Sequence, residues 1–168
     1  MNGRVTGRAW TFGDNIDTDV LAPGIYMKLT AEEVAKHCLE AVDPELAAKV
    51  QSGDILVGGE NFGVGSSREQ APQALKLLGV GAVLAKSFAR IFYRNAVNLG
   101  LPALFFREAD QISAGDRLEV DLAAGQVRNL TTGAAYAVEP IPPHLLEMIM
   151  VGGLMPHLKA RLAAQRAT

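Results

Sequence analysis

Three short apolar runs, at 54–58, 81–85 and 102–106, alternate with two stretches whose apolar residues recur at helical spacing. Ile55-Leu56-Val57, Val83-Leu84 and Leu104-Phe105-Phe106 form runs too short for core helices, and they read as buried strands. In the first intervening stretch, 68–78, Ala71, Ala74, Leu75 and Leu78 line one face of a helix. The second, 88–99, follows Ser87 as a candidate cap, puts Arg90 and Arg94 four apart on one face, and stops at Gly100. Strand, helix, strand, helix, strand in succession predicts right-handed crossovers and a parallel sheet. The fold class is therefore α/β.

The flanking segments add to this core. Residues 4–12 read as a first strand, and 13–24 as a polar loop rich in Asp and Asn. Thr30 with Glu33 has the form of a capping box, predicting a helix from Ala31 to about Glu40. Pro44 after Asp43 opens a second helix that ends near Gly53. Between 115 and 138, Leu118, Val120 and Leu122 alternate, and turn signals at Ala124-Gly125 and Thr132-Gly133 predict a β meander. Helices are expected at 140–150 and 154–167. No repeat or low-complexity linker marks a boundary, so the expectation is one domain over 1–168.

Chemistry concentrates in the loop 59–68, Gly-Glu-Asn-Phe-Gly-Val-Gly-Ser-Ser-Arg. It lies between a strand and a helix start, where unpaired backbone N–H groups and the helix dipole favour an anion. Arg68 offers a planar fork that can grip a carboxylate through parallel hydrogen bonds. Ser66 and Ser67 supply hydroxyls beside it, yet Ser66 with Glu69, or Ser67 with Gln70, also fits a capping box. Both readings stand together, because one serine suffices as a cap. The loop lacks the Lys-Ser/Thr pair of a phosphate-binding loop and the third glycine of the dinucleotide pattern. It is no nucleophile elbow either, for neither serine has a glycine two residues on.

Composition narrows the function classes. A net charge of −2 gives no electrostatic reason to expect nucleic acid or an anionic membrane as partner. The N-terminal residues lack the apolar core of a signal peptide, and no apolar run approaches membrane-spanning length, so the expected location is the cytoplasm. A single cysteine, Cys38, allows no intrachain disulfide and no cysteine-rich metal site. His37 beside it reads as half of a surface pair at a helix end. The aspartates of 13–24 lack the glycine and distal glutamate of a calcium loop. They fit either a cluster of Asx turns or a loop that lends Thr18 and Asp19 to a site.

Two stretches together, Gly-Asp-Asn-Ile-Asp-Thr-Asp-Val-Leu-Ala-Pro-Gly (13–24) and Gly-Glu-Asn-Phe-Gly-Val-Gly-Ser-Ser-Arg-Glu-Gln-Ala-Pro (59–72), resemble the small subunits of 3-isopropylmalate dehydratase. These are the detached swivelling domain of the aconitase superfamily. Lys-Ser-Phe-Ala-Arg-Ile-Phe-Tyr-Arg-Asn (86–95) is a third matching stretch in the right order. The resemblance implies a swivelling β/β/α domain that works with a separate large subunit. That subunit carries a [4Fe–4S] cluster on three cysteines, with one iron open to substrate. It implies Ser66 as catalytic base, Ser67 as its active-site neighbour and Arg68 as the group that binds a substrate carboxylate. Thr18 and Asp19 resemble active-site groups of the early loop, the aspartate assisting an acid histidine of the other subunit. Val64 and Gln70 depart from the cysteine and histidine common in the family, at positions without a role here.

The implied reaction removes water from a small hydroxy-dicarboxylate and returns it at the adjacent carbon, isomerising 2- and 3-isopropylmalate in leucine biosynthesis. Homoaconitate and 2,3-dimethylmalate are alternative substrates. Tyr26-Met27-Lys28-Leu29 lies where the family recognises the variable group, and Lys28 is compatible with a further carboxylate or with solvent. A reading of another class is a non-catalytic regulatory module that senses a carboxylate through Arg68.

Overall fold

A computed structural model describes residues 3–66 and 68–167. In chain order, β1 (Arg4–Thr11) precedes three short helices, α1 (Thr18–Leu21), α2 (Ala31–Ala35) and α3 (Leu46–Lys49). The alternating centre follows as β2 (Ile55–Gly58), α4 (Gln70–Leu77), β3 (Ala82–Ala85), α5 (Arg90–Asn98) and β4 (Ala103–Phe105). The meander β5 (Arg117–Asp121), β6 (Gln126–Asn129) and β7 (Ala135–Ala137) leads to α6 (Pro143–Met150) and α7 (Leu154–Ala167).

All seven strands join one sheet in the order β4-β3-β2-β1-β5-β6-β7. β1 is the seam: it pairs parallel with β2 and antiparallel with β5. On one side lie the parallel crossover strands, on the other the meander, as the sequence pattern predicts. Because side chains alternate across a strand, β2 and β3 serve two cores at once. Leu56, Val83 and Ala85 pack with Val34, Cys38, Leu39 and Leu75 on one face. Ile55, Val57, Ala82 and Leu84 pack with Leu118, Val120, Val127 and Ile149 on the other. Asp54, buried at the entrance to β2, fixes the seam by accepting from Arg8 N (3.1 Å), Trp10 Nε1 (3.0 Å) and Gln51 N (2.9 Å). Carboxylate oxygens with several N–H partners tolerate burial that an unpaired charge would not.

Local signals hold in some places and yield in others. Thr30 and Glu33 do form the reciprocal capping box, each backbone N–H donating to the other's side chain at 3.3 Å. The helix they open is only five residues long, and the chain then runs in successive turns to Leu39, whose φ of 61° ends any helical course. Pro44 does not open α3, which starts at Leu46 behind Glu45. Ser87 does not cap α5 either: Ala89 holds that position without a side-chain bond, while the Ser87 hydroxyl donates to Glu60 (2.7 Å) and accepts from Asn61 N (2.8 Å). Cys38 is no surface residue. It is fully buried, and desolvation pushes its thiol far above the ordinary range.

The feature that positions the central loop is Phe62. Fully buried, it meets Phe92 and Phe88 edge-on at 5.3 and 6.1 Å, and its backbone pairs with Ser87 and Ala89. Next to it, Gly63 has φ 83°, and a Cβ there would fall 2.2 Å from the Phe92 ring. Substitution of Gly63 thus meets both backbone strain and an aromatic wall. Gly63→Ala is expected to lower unfolding free energy by about 2–4 kcal/mol. Gly13→Ala, where a Cβ meets open space, serves as the near-neutral control in the same denaturant titrations.

Candidate active site

The loops that follow β1 and β2 leave the same edge of the sheet, because those two strands are parallel neighbours. Beyond the strand ends they remain tied backbone to backbone. Gly59 N donates to Gly13 O (3.0 Å), Asn15 N to Glu60 O (2.8 Å), Gly63 N to Ile16 O (2.7 Å) and Thr18 N to Val64 O (2.9 Å). Side chains reinforce the seam. Asp14 Oδ1 accepts from Glu60 N (2.8 Å), and Asn61 Nδ2 donates to Asn15 Oδ1 (3.1 Å). Both asparagines adopt φ 57°, a region Asn enters more readily than most residues. Asp17 accepts from Val20 N (2.8 Å) and so caps α1, a helix absent from the sequence expectation. Asp14 and Asn15 are thereby occupied in ties to the other loop and Asp17 as a cap, which leaves Thr18 and Asp19 for the site.

Arg68 reaches back across this seam. Its Nη1 donates to Asp19 Oδ1 (2.9 Å) and to Ala22 O (3.0 Å), and Asp19 Oδ1 also accepts from Gly24 N (2.9 Å). The pair is open to solvent, with the Asp19 side chain 69% and the Arg68 side chain 25% exposed. Its value lies in orientation more than in stability. One edge of the guanidinium is held, and the Nη2 and Nε donors have no partner among the described residues. The Arg68 hydrogen bond first, and then the Gly24 N–H, hold the Asp19 carboxyl below the usual carboxylate range.

A cavity of about 270 Å³ opens beside the guanidinium. Thr18, Ser66, Arg68 and the glycines 63 and 65 form one wall; residues 89–92 and Asn95, on the first turns of α5, form the other. Ser66 is exposed, and its hydroxyl has no hydrogen-bond partner among the described residues. Thr18 is buried, and a Cβ on Gly65 would sit 3.1 Å from its hydroxyl oxygen. With φ at 114°, Gly65 is held to glycine both by conformation and by that close approach. The volume is below the roughly 300–1,000 Å³ of a complete small-molecule site. It has the size of part of a pocket. A larger groove of about 520 Å³ runs beside Phe105, but its Lys86 is engaged by Asp110 and it contains neither serine nor Arg68.

The structure thus joins Thr18, Asp19, Ser66 and Arg68. It does not join Lys28, which is exposed and lines no part of this cavity. Ser67 lies outside the described residues. One expectation needs correction: α4 begins at Gln70 behind Glu69, with no side-chain cap, so Ser66 is no cap residue. The helix end that faces the cavity belongs instead to α5, whose first turn lacks a side-chain cap. Sequence reading assigned that turn only a cap, although the stretch 86–95 stood out beside the other two.

Among the described residues no group of His, Cys, Asp and Glu is placed to hold a metal ion. His37 stacks on Tyr26 at 3.7 Å and bonds Glu40 at 2.8 Å. No described helix is long and apolar enough to cross a membrane. The Arg68–Asp19 contact makes a direct prediction. A depressed carboxyl pKa means that the pairing stabilises the fold above the unfolded-state pKa and is lost as pH falls through the folded one. In Arg68→Gln the Asp19 carboxyl should titrate at higher pH than in the parent, as followed by carbon NMR. An unmoved midpoint would show that the arginine is not what holds it down.

The chain is similar to proteins of one family. The model of the aconitase C-terminal domain family matches residues 15–109, a span that holds β2, β3, β4, the central loop and most of the early loop. A 3-isopropylmalate dehydratase small subunit of Thermotoga maritima is 54% identical over 157 residues, covering 92% of this chain and 95% of that one. A homoaconitase small subunit of Methanothermobacter thermautotrophicus is 50% identical over 159 residues, covering 94% and 92%. The crystal structure of 3-isopropylmalate dehydratase from Methanocaldococcus jannaschii shares the fold with a TM-score of 0.92 at 43% identity, over 98% of each chain.

Proposed function

The chain belongs to the aconitase C-terminal domain family, and from that premise we propose that it is the small subunit of an iron–sulfur hydro-lyase. The reaction is the interconversion of 2- and 3-isopropylmalate by dehydration and rehydration, in leucine biosynthesis and in the cytoplasm. The observation that carries the reading is Arg68, anchored through Nη1 by Asp19 and Ala22 and lining a cavity together with Ser66, whose hydroxyl has no hydrogen-bond partner among the described residues.

This chain does not fit the cluster itself. Its one cysteine is sealed in the core, and no alternative donor set exists among the described residues. In this reading the large subunit holds the [4Fe–4S] cluster, which supplies a Lewis acid for the departing hydroxyl group. What this chain supplies is positioning and a proton acceptor. Arg68 binds a carboxylate of the malate skeleton through its unengaged donors, fixing the carbon that bears the proton. Ser66 Oγ takes that proton. A serine oxygen is a poor base at neutral pH, and negative charge on it is stabilised by Arg68 and by the uncapped first turn of α5 across the cavity. Thr18, held by the Val64 carbonyl and packed on Gly65, fixes the height of the loop that carries Ser66. Asp19 orients Arg68, and in the assembled enzyme it is available to a partner histidine.

Identity does not separate isopropylmalate from homoaconitate, since relatives bearing either name stand at 54% and 50%. Lys28 stands outside this cavity, and a substrate panel with Lys28→Ala decides whether it meets an additional carboxylate. In the reconstituted pair under anaerobic conditions, Ser66→Ala should lower kcat by at least about 100-fold without weakening assembly. Arg68→Lys, which loses the two-pronged grip, should raise KM about tenfold. Near-normal turnover of the Ser66 variant would remove the serine as base. Ligand binding by the isolated chain, with no activity after large-subunit addition, would favour a carboxylate sensor instead.

A further inference from the structure

Shortly after Asp19 and Ala22, the two acceptors of Arg68, the chain makes one turn of 3₁₀ helix, Gly24–Tyr26. One end of this turn lies against the guanidinium. The Gly24 N–H donates to Asp19 Oδ1 at 2.9 Å, and a Cβ on Gly24 would fall 3.2 Å from both that oxygen and Arg68 Nη2. The other end is held from a later part of the chain. The Tyr26 ring lies flat on the His37 ring, with 3.7 Å between centroids and 13° between planes. His37 Nδ1 is 2.8 Å from Glu40 Oε2, and because an ionised carboxylate only accepts, the ring nitrogen is the donor. The Tyr26 hydroxyl bonds the same carboxylate, which pushes its phenol above the ordinary range. Glu40 is held below the usual carboxylate range, by the His37 hydrogen bond first and, against some desolvation, by Tyr26. Between the two, Leu39 is fully buried at φ 61°, and its N–H donates to the carbonyl of Val20, the neighbour of Asp19, at 2.9 Å. A bulky residue stays in that region only where the surrounding structure over-determines it.

We infer that His37 and Glu40 are positioning residues for Arg68, acting through Tyr26 to fix the turn 24–26 against the guanidinium. Where it concerns turnover, the inference rests on the functional reading above. The need for such a clamp follows from exposure. The Asp19 side chain is 69% exposed, and an open ion pair holds its geometry weakly. The Gly24 N–H is the second partner that keeps Asp19 in place, yet glycine has no side chain with which to anchor its own backbone. Tyr26, two residues on, supplies that anchor. With the clamp closed, Asp19 and the Arg68 fork are ordered before a ligand arrives. With it open, the ligand must order them, which costs affinity and leaves the proton transfer at Ser66 untouched. Neither His37 nor Glu40 lines the cavity, so both act only through the turn.

Amide exchange of the full chain by NMR and steady-state kinetics of the reconstituted pair, on the same variants, test this. His37→Ala and Glu40→Ala should each speed exchange of the Gly24 N–H by about threefold or more. Each should also raise KM for isopropylmalate about threefold, with kcat within about twofold of wild type. Glu40→Gln keeps an acceptor for both donors and should bring the two readings back near wild type. Lys36→Ala, exposed on the same stretch, is the control and should change neither. Gly24 exchange unmoved in both alanine variants overturns the inference, whatever the kinetics show. Faster exchange with an unaltered KM overturns it as well, because the turn would then not position Arg68. Thermal unfolding separates a positioning loss from a folding one. A lowered midpoint with kcat and KM worsening together, uncorrected by Glu40→Gln, identifies a structural cluster and overturns the inference too. A wild-type pair without activity sinks the functional reading, and the exchange result then decides the clamp on its own.

Discussion

The site depends on a set of backbone hydrogen bonds that carry on past the ends of two parallel strands. Strands β1 and β2 stop at Thr11 and Gly58, yet the chains beyond them stay paired through Gly13, Asn15, Ile16 and Thr18. That seam brings Asp19 and Arg68 together across 49 positions of sequence. Without it, a guanidinium on a glycine-rich loop would be one flexible charge among many in solvent. With it, the side chain meets fixed acceptors, and the entropy of ordering it is spent during folding instead of at ligand binding. Glycine is required in the same loop for a related reason. Phe92 approaches the backbone so closely that no side chain fits at 63, and at 65 a φ of 114° and the Thr18 hydroxyl nearby favour glycine.

Much of this was legible in the residues because the governing signals are local. Runs such as Ile55-Leu56-Val57 have one plausible conformation once helices flank them, and the meander announces itself through alternation and turn glycines. The parallel centre and the antiparallel wing both follow. Thr18, Asp19, Ser66 and Arg68 were singled out from motif and chemistry, and the fold does place them together.

What sequence reasoning missed shares one cause, the override of local preference by tertiary contacts. Ser87 is a good cap by type, but Glu60 and Asn61 claim its hydroxyl from another loop. Ser66 stands before an amphipathic stretch, but the helix starts only at Gln70, and Arg68 is drawn to Asp19 and Ala22 of the other loop. Cys38 follows a histidine near a helix end, where exposure is the ordinary guess, and the packing of Leu39 and Leu46 encloses it instead. The first turn of α5 was readable only as a helix start. Its place opposite Ser66 arises from the aromatic contact between Phe62 and Phe92, which periodicity does not encode.

The enclosure of Cys38 has a bearing on how such an assembly ages in air. A thiol with no solvent access and little thiolate character offers oxidants almost nothing to attack. The chain can therefore be handled in air without a disulfide forming through Cys38, whatever the redox state of anything it assembles with.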